Sequence, residues 1–451
     1  MTRAIIVRHG QSNYNVEKRI QGRTDFSRLT YKGRNDASHV GKFLCQIVFD
    51  SIYCSPLNRA RQTAEIIHQQ LLLNPGQSAT PQSNNKLLEI DLPLWERMLS
   101  IDVKNLFPDD YRTWKEEPHK FRMLIPQSKG FKEHFPVLSL YRQAREFWQE
   151  ILPRYGGQTI LIIGHNGINR SLVSTALNLS PSLYHSIQQS NCGISVLNFV
   201  GGWGEPVQLE SLNQTQHMGV NLPSPRAYYK GLRLLLVRHG ETDWNLQRRY
   251  QGHIDVTLNK TGKQQSQKLA QLIQDVKLDL IISSSMSRAK ETANIISQYH
   301  PHINLHMNNG LREITHGFWD GKLEREIAQE FPKYLQHLHT HPSQLQIPSG
   351  ETLQTLWKRT IIIFNAIIEE SLNKHLQTIL VVAHGVINQV LFCHILGLTP
   401  GELWNFRQSN GSLSVIDFPV TEDSMPVLQT INITSHLHDS AVDDKTVPGA
   451  M

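Results

Sequence analysis

Cysteine is scarce in this chain. Cys45, Cys54, Cys192 and Cys393 are the only four in 451 residues, and no two form a CxxC pair. That spacing argues against a disulfide framework and a zinc site, and it fits a reducing, cytosol-like (cytoplasmic) compartment. Long apolar runs are missing as well. The opening MTRAIIVRHG reaches Arg8 before a signal-peptide core can form, and TILIIG and TILVVA fall far short of a membrane span. Nor is there an extended block of like charge, although 45 basic and 39 acidic side chains leave a formal charge of +6. Without a basic patch interleaved with aromatics, the composition gives no lead to nucleic acid. The mild positive excess fits a concave site for a small anion equally well. The expectation is a soluble enzyme-sized chain with neither a membrane nor a nucleic-acid partner.

What the sequence does contain, it contains twice. VRHGQSNYN at Val7–Asn15 returns 230 residues later as VRHGETDWN, and QGR at Gln21 returns as QGH at Gln251. CSPLNRARQTAEII matches SSSMSRAKETANII, LLEIDLPLW matches LREITHGFW, and TILIIGHNGIN matches TILVVAHGVIN. QSNCGISVLNF is echoed by QSNGSLSVIDF, and LNQTQHM by INITSHL. The order never changes, so the repeat is a duplicated domain rather than a solenoid. It divides the chain into residues 1–218, a linker over 219–231, residues 232–437 and a loose tail over 438–451.

Within each copy, short branched apolar runs (LRLLLV, LDLIIS, TILVVA) alternate with helical patterns (GKQQSQKLAQLI, RAKETANIISQ). That alternation predicts two tandem three-layer α/β/α domains, each with a mostly parallel central sheet. The QSN segments read as later strands, antiparallel and at an edge. Arg238 and His239 then stand at the carboxyl end of one strand, Arg288 just beyond a second and His384 at the end of a third. Ligands bind at that end of open parallel sheets, and Gly240 gives the chain room to turn.

Three junctions that each supply a cation or an imidazole outline a phosphate site. A phosphomonoester carries about 1.5 to 2 negative charges near neutral pH, and arginine offers a fixed fork of donors to its oxygens. Neighbouring arginines favour the neutral, nucleophilic form of a histidine, which can attack phosphorus. The departing alkoxide needs a proton, and Glu313 is placed to give one.

RHGETDWN, SRAKETA, LREITHGFWDG, IPSGETL and VVAHGVIN together resemble the histidine phosphatase superfamily. They are similar to its branch of cofactor-dependent phosphoglycerate mutases and small-molecule phosphatases, and the resemblance runs through both copies. It implies a phosphoglycerate mutase-like fold, with His239 as the phosphorylated nucleophile and Arg238, Arg288 and His384 as the phosphate shell. It further implies Asn245 as a phosphate contact and Glu313 as proton donor. In copy one it implies His9, Arg8, Arg59, His165, Asn15 and Glu89 in the same roles. No metal and no organic cofactor is implied.

The resulting expectation is a phosphomonoesterase that hydrolyses a small phosphorylated metabolite through a phosphohistidine. The alternatives are mutase-type transfer back to substrate, and a copy one that senses a phospho-ligand and regulates copy two. Copy two's stretch between FWDGK and PSGET is short, the pattern that resembles phosphatases rather than mutases. Copy one keeps the six pocket residues but reads LPLWERM for HGFWDGK, and has no clear counterpart of IPSGETL. Its differences are therefore expected in the substrate wall, over Met98–Phe135 against Lys322–Ile347. Trp244 and Trp319 are expected to pack. HLHTHP, at His337–Pro342, reads as a solvated loop.

Overall fold

The computed structural model describes residues 1–225, 230–340, 344, 346–420 and 425–437. The tail expected over 438–451 and residues 226–229 of the linker lie outside them. The chain divides into two compact units, Met1–Pro223 with Asp423–Gln429 and Ser224–Glu422 with Thr430–Met451.

In copy one the strands are β1 (Thr2–Arg8), β2 (Ser51–Cys54), β3 (Pro81–Ser83), β4 (Met123–Pro126), β5 (Phe131–His134), β6 (Thr159–Gly164), β7 (Ile194–Phe199) and β8 (Val207–Gln214). The helices are α1 (Asn13–Val16), α2 (Tyr31–Leu44), α3 (Asn58–Leu71), α4 (Ser100–Leu106), α5 (Pro108–Glu116), α6 (Pro136–Ile151) and α7 (Asn166–Ala176). The main sheet runs β3-β2-β6-β1-β7-β8. Its first four strands are parallel, while β7 is antiparallel to β1 and to β8. The middle strands β1 and β6 are runs of Ile, Leu and Val covered on both faces; Ala4–Val7 and Ile160–Ile163 have no exposed surface.

Copy two repeats the plan with β9 (Gly231–Arg238), β10 (Leu280–Ser284), β11 (Leu305–Asn308), β12 (Thr378–Ala383), β13 (Leu413–Pro419) and β14 (Val427–Ile433). Its helices are α8 (Asp243–Leu246), α9 (Lys260–Ile273), α10 (Ser287–Ser297), α11 (Glu324–Glu330), α12 (Pro332–Thr340), α13 (Leu353–Asn373) and α14 (Gly385–Ile395). The order β11-β10-β12-β9-β13-β14 matches copy one strand for strand. β9 lies parallel to β12 and antiparallel to β13. Each copy is thus a three-layer α/β domain of the phosphoglycerate mutase type.

Three expectations need correction. The QSN strands β7 and β13 are antiparallel but lie inside their sheets, because β8 and β14 pair on their outer side; the weakly similar LNQTQHM and INITSHL segments belong to those outer strands. The region expected to form the substrate wall, and with it a lid, is also more alike in the two copies than the motifs suggest. α4 and α5 recur as α11 and α12 at a constant spacing of 224, each pair divided by a Phe-Pro step, Phe107-Pro108 or Phe331-Pro332. Proline at the first helical position suits a helix start. What copy one adds is the β4–β5 hairpin that follows. The start of HLHTHP is likewise helical, within α12, and residues 341–343 lie outside the described residues.

Candidate active site

β9 ends on Arg238, and His239 follows at the sheet's carboxyl edge. The backbone N–H of Gly240 donates to Thr292 Oγ1 at 3.0 Å, and that hydroxyl donates to the Arg288 carbonyl at 2.9 Å. The SRAKETA motif therefore ties the His239 loop to α10, which carries Arg288. In copy one Gly10, Thr63 and Arg59 are linked in the same way. Gly240 is needed for close approach rather than for an unusual turn. A Cβ there would lie 2.4 Å from the Gly262 carbonyl oxygen at the start of α9, and a Cβ on Gly10 would lie 2.3 Å from that of Gly33.

His239 is buried, and its Nδ1 lies 2.7 Å from the Gly240 carbonyl oxygen. A carbonyl only accepts, so Nδ1 carries the proton and Nε2 keeps its lone pair. His9 has the same bond to Gly10. Burial above all, and then the Arg288 and Arg238 charges, hold the His239 pKa well below the ordinary histidine range. His9 is held down by burial and then by Arg59 and Arg8. Sequence reasoning credited the arginines alone; loss of solvent is the larger cause.

The second histidine faces the first. Ring centroids are 5.2 Å apart for His239 and His384, and 5.1 Å for His9 and His165. His384 Nε2 is 2.8 Å from Ser284 Oγ, and His165 Nε2 is 2.7 Å from Ser55 Oγ. These serines were missed by sequence reasoning, although they occupy matching places in CSPLNRA and SSSMSRA. Arg288 is fixed by donating to the carbonyls of Ile254 and Gly252, and Arg59 by donating to those of Thr24 and Gly22. The repeated QG step thus serves as the arginine's seat. Arg238 and Arg8 are anchored by the carbonyls of Gln408 and Gln189, the first residues of the QSN motifs.

Buried donors remain for a ligand. Arg238 Nε, Arg288 Nε and His384 Nδ1 are buried without a hydrogen-bond partner, as is Arg8 Nε in copy one, and His384 Nδ1 is a donor in the tautomer whose Nε2 accepts from the Ser284 hydroxyl. Such groups are costly to bury unpaired, and here they lie beside an imidazole whose Nε2 keeps its lone pair. Copy one differs at one point: Arg59 Nε donates to His165 Nδ1 at 3.2 Å.

Asn245 Oδ1 accepts from the backbone N–H and hydroxyl of Thr242 and from Asn410 Nδ2. Its oxygen is committed to the loop, which leaves the NH2 group for an anion. Asn15 is placed likewise by Ser12 and Asn191. Asn410 also donates to the His239 carbonyl and Asn191 to that of His9. The QSN asparagine is therefore a brace for the loop that follows Arg238 or Arg8, a contact the sequence did not reveal.

Glu313 lies at the start of α14, its carboxylate accepting from the N–H groups of Ile314 and Val386. Glu89 accepts from Ile90, Gly167 and Ile168. Behind Glu313, Arg359 donates to the carbonyls of Gly310, Arg312 and Glu313 while paired with Glu351 of the IPSGETL motif at 2.6 Å. In copy one Gln143 reaches the matching carbonyls of Lys86 and Leu88, and Arg23 Nε donates to that of Glu89. Trp319 is fully buried, with its ring 5.8 Å from Tyr250, and serves packing as expected.

Comparison with known proteins gives a consistent result. The family model described as histidine phosphatase superfamily (branch 1) matches twice, over residues 4–212 and 234–434. A 2-carboxy-D-arabinitol-1-phosphatase of Triticum aestivum is 30% identical over 455 residues, covering 96% of this chain and 86% of that protein. Phosphoserine phosphatase 1 of Hydrogenobacter thermophilus is 33% identical over 213 residues, 47% of this chain and 97% of its own length. Among solved structures, the α-ribazole phosphatase of Shigella flexneri is 28% identical with a TM-score of 0.41, over 45% of this chain and 96% of that one.

Proposed function

The chain belongs to the histidine phosphatase superfamily and is a phosphatase of that family, and from this premise we propose that copy two hydrolyses a small phosphomonoester through a phosphohistidine on His239. The observation that supports this most directly is the set of buried, unpartnered donors on Arg238, Arg288 and His384 beside an imidazole whose Nε2 is unprotonated.

In this reading the phosphate oxygens take up those donors and the Asn245 amide. The Nε2 lone pair attacks phosphorus, the P–O ester bond breaks in line, and Glu313 gives its proton to the leaving alkoxide. The Glu313 carboxylate then takes a proton from water, the oxygen attacks phosphorus, and the P–N bond breaks to release phosphate. Copy one carries the same constellation in His9, Arg8, Arg59, His165, Asn15 and Glu89, and is proposed as a second phosphate pocket. The Triticum relative, matched across both copies, is named for a carboxylated sugar phosphate. That supports an acidic sugar-phosphate class among the candidates to screen first.

The test is turnover of a phosphomonoester panel by the full chain and by His239→Ala and His9→Ala. His239→Ala should lower kcat by about a thousandfold or more on the substrate of copy two. Full activity in that variant would overturn the assignment, and isomerised 3-phosphoglycerate without free phosphate would replace hydrolysis by mutase-type transfer. If His9→Ala preserves all turnover but alters its dependence on a phospho-ligand, copy one is a sensor.

A further inference from the structure

Copy one contains a buried arginine that the proposed chemistry does not use. Arg170 lies on α7, one turn beyond His165, with only 8% of its surface exposed. Its Nε is buried without a partner, and its other contacts are long: 3.4 Å to His185 Nδ1 and 3.4 Å to Gln188 Oε1. The guanidinium stands 5.5 Å from the centre of the Tyr184 ring. Among the described residues no carboxylate is within ion-pairing distance of it. The Tyr184 hydroxyl also accepts from the guanidinium, and without an ion-paired carboxylate this buried cation is only partly compensated.

Its surroundings adjoin Glu89. A Cβ on Gly167 would lie 2.5 Å from Glu89 Oε1 and 2.6 Å from the Tyr184 hydroxyl, so only a glycine lets the carboxylate and the phenol both pack against the start of α7. Glu89, Arg170 and Arg59, in that order, are the charges that act most on Arg8. Copy two has Val386, Leu403 and Gln389 at the positions of Gly167, Tyr184 and Arg170, and a half-buried Arg407 in place of Gln188. Hydroxyl and guanidinium are exchanged together for apolar bulk and a neutral amide.

The charge count sets the ligand class. Arg238 and Arg288 match the two charges of a phosphate dianion. Arg8 and Arg59 match them in copy one, and Arg170 adds a third, buried cation where copy two has Gln389. We propose that Arg170 and the Tyr184 hydroxyl form a subsite in copy one for a second anionic group on the phosphomonoester, namely a carboxylate on its alcohol portion. This rests on reading copy one as a phosphate pocket.

The test compares 3-phosphoglycerate with glycerol 3-phosphate, which share a three-carbon skeleton but differ in the carboxylate. Both are titrated calorimetrically into the full-length His239→Ala chain, alone and with Arg170→Gln added. Arg170→Gln should weaken one class of 3-phosphoglycerate site by about tenfold or more and leave glycerol 3-phosphate binding unchanged. Tyr184→Phe keeps ring and volume and should give a smaller loss with the same selectivity. Equal weakening of both ligands, or of neither, overturns the subsite. Arg59→Ala reports separately on the underlying reading: if it removes no site for either ligand, copy one is not a phosphate pocket.

Discussion

At the scale of single residues, the decisive feature is that four histidines are buried as neutral rings. His9, His165, His239 and His384 are all held well below the ordinary histidine value, with burial as the first cause and arginine charge as the second. The unfolded chain binds protons at these sites below about pH 6.5, whereas the folded chain excludes them. Their contribution is therefore fully present above that pH and is lost as the pH falls. Each excluded proton costs about 1.4 kcal/mol per pH unit until the folded-state value is reached. Thermal melts should show Tm falling steeply below about pH 6.5, with a shallower fall in His384→Gln. A Tm flat from pH 7 to 5 would contradict this. The histidines, their arginines and both glutamates were legible in the sequence because each motif puts them at a strand end or its following turn. Thr292, Ser284 and Asn410 were not, since a hydroxyl or amide that braces a loop has no signature until the loops meet.

Secondary-structure elements show why some motifs survive in one copy only. Gly317 has φ +56, and a Cβ there would lie 2.2 Å from the Pro348 carbonyl oxygen. Gly317 is thus the partner of the IPSGET loop, and copy one, lacking that loop, has Pro93 in its place. The same loop delivers Glu351 to Arg359, which holds the backbone of the proposed proton donor. Arg359→Gln should loosen Glu313 without touching the phosphate. Its kcat should fall about ten- to a hundredfold on an alkyl phosphate, whose leaving group needs a proton. Hydrolysis of p-nitrophenyl phosphate, whose leaving group does not, should be nearly unchanged; equal losses would assign Arg359 to general stability. The strand pattern was readable from apolar runs covered on both faces. The edge position given to β7 and β13 failed because β8 and β14 are mixed in polarity, and the lid helices escaped notice because α4 and α11 share spacing but little composition.

For the whole molecule, the duplication predicts a stoichiometry. Each copy sets two arginines and two buried histidines at the end of its own parallel strands, so inorganic phosphate should titrate to two per chain if both pockets are as proposed. Arg59→Ala and Arg288→Ala should each remove one equivalent, and a single equivalent in the unsubstituted chain would show that one pocket is closed to the ion. Two copies also reveal what the backbone alone demands. Gly321, Gly397 and Gly411 of copy two have φ of +88, +63 and +69, and copy one follows the same path with Arg97, Asn178 and Cys192 at +69, +55 and +56. Left-handed backbone costs a side-chain-bearing residue on the order of 1–2 kcal/mol. Copy one takes the same turns without glycine, and it tolerates the strain rather than reroute the chain. The turn that joins the Arg97 N–H to the Ile20 carbonyl recurs at Gly321 and Tyr250, so the chain path is shared and amino-acid identity at those turns is the freer variable.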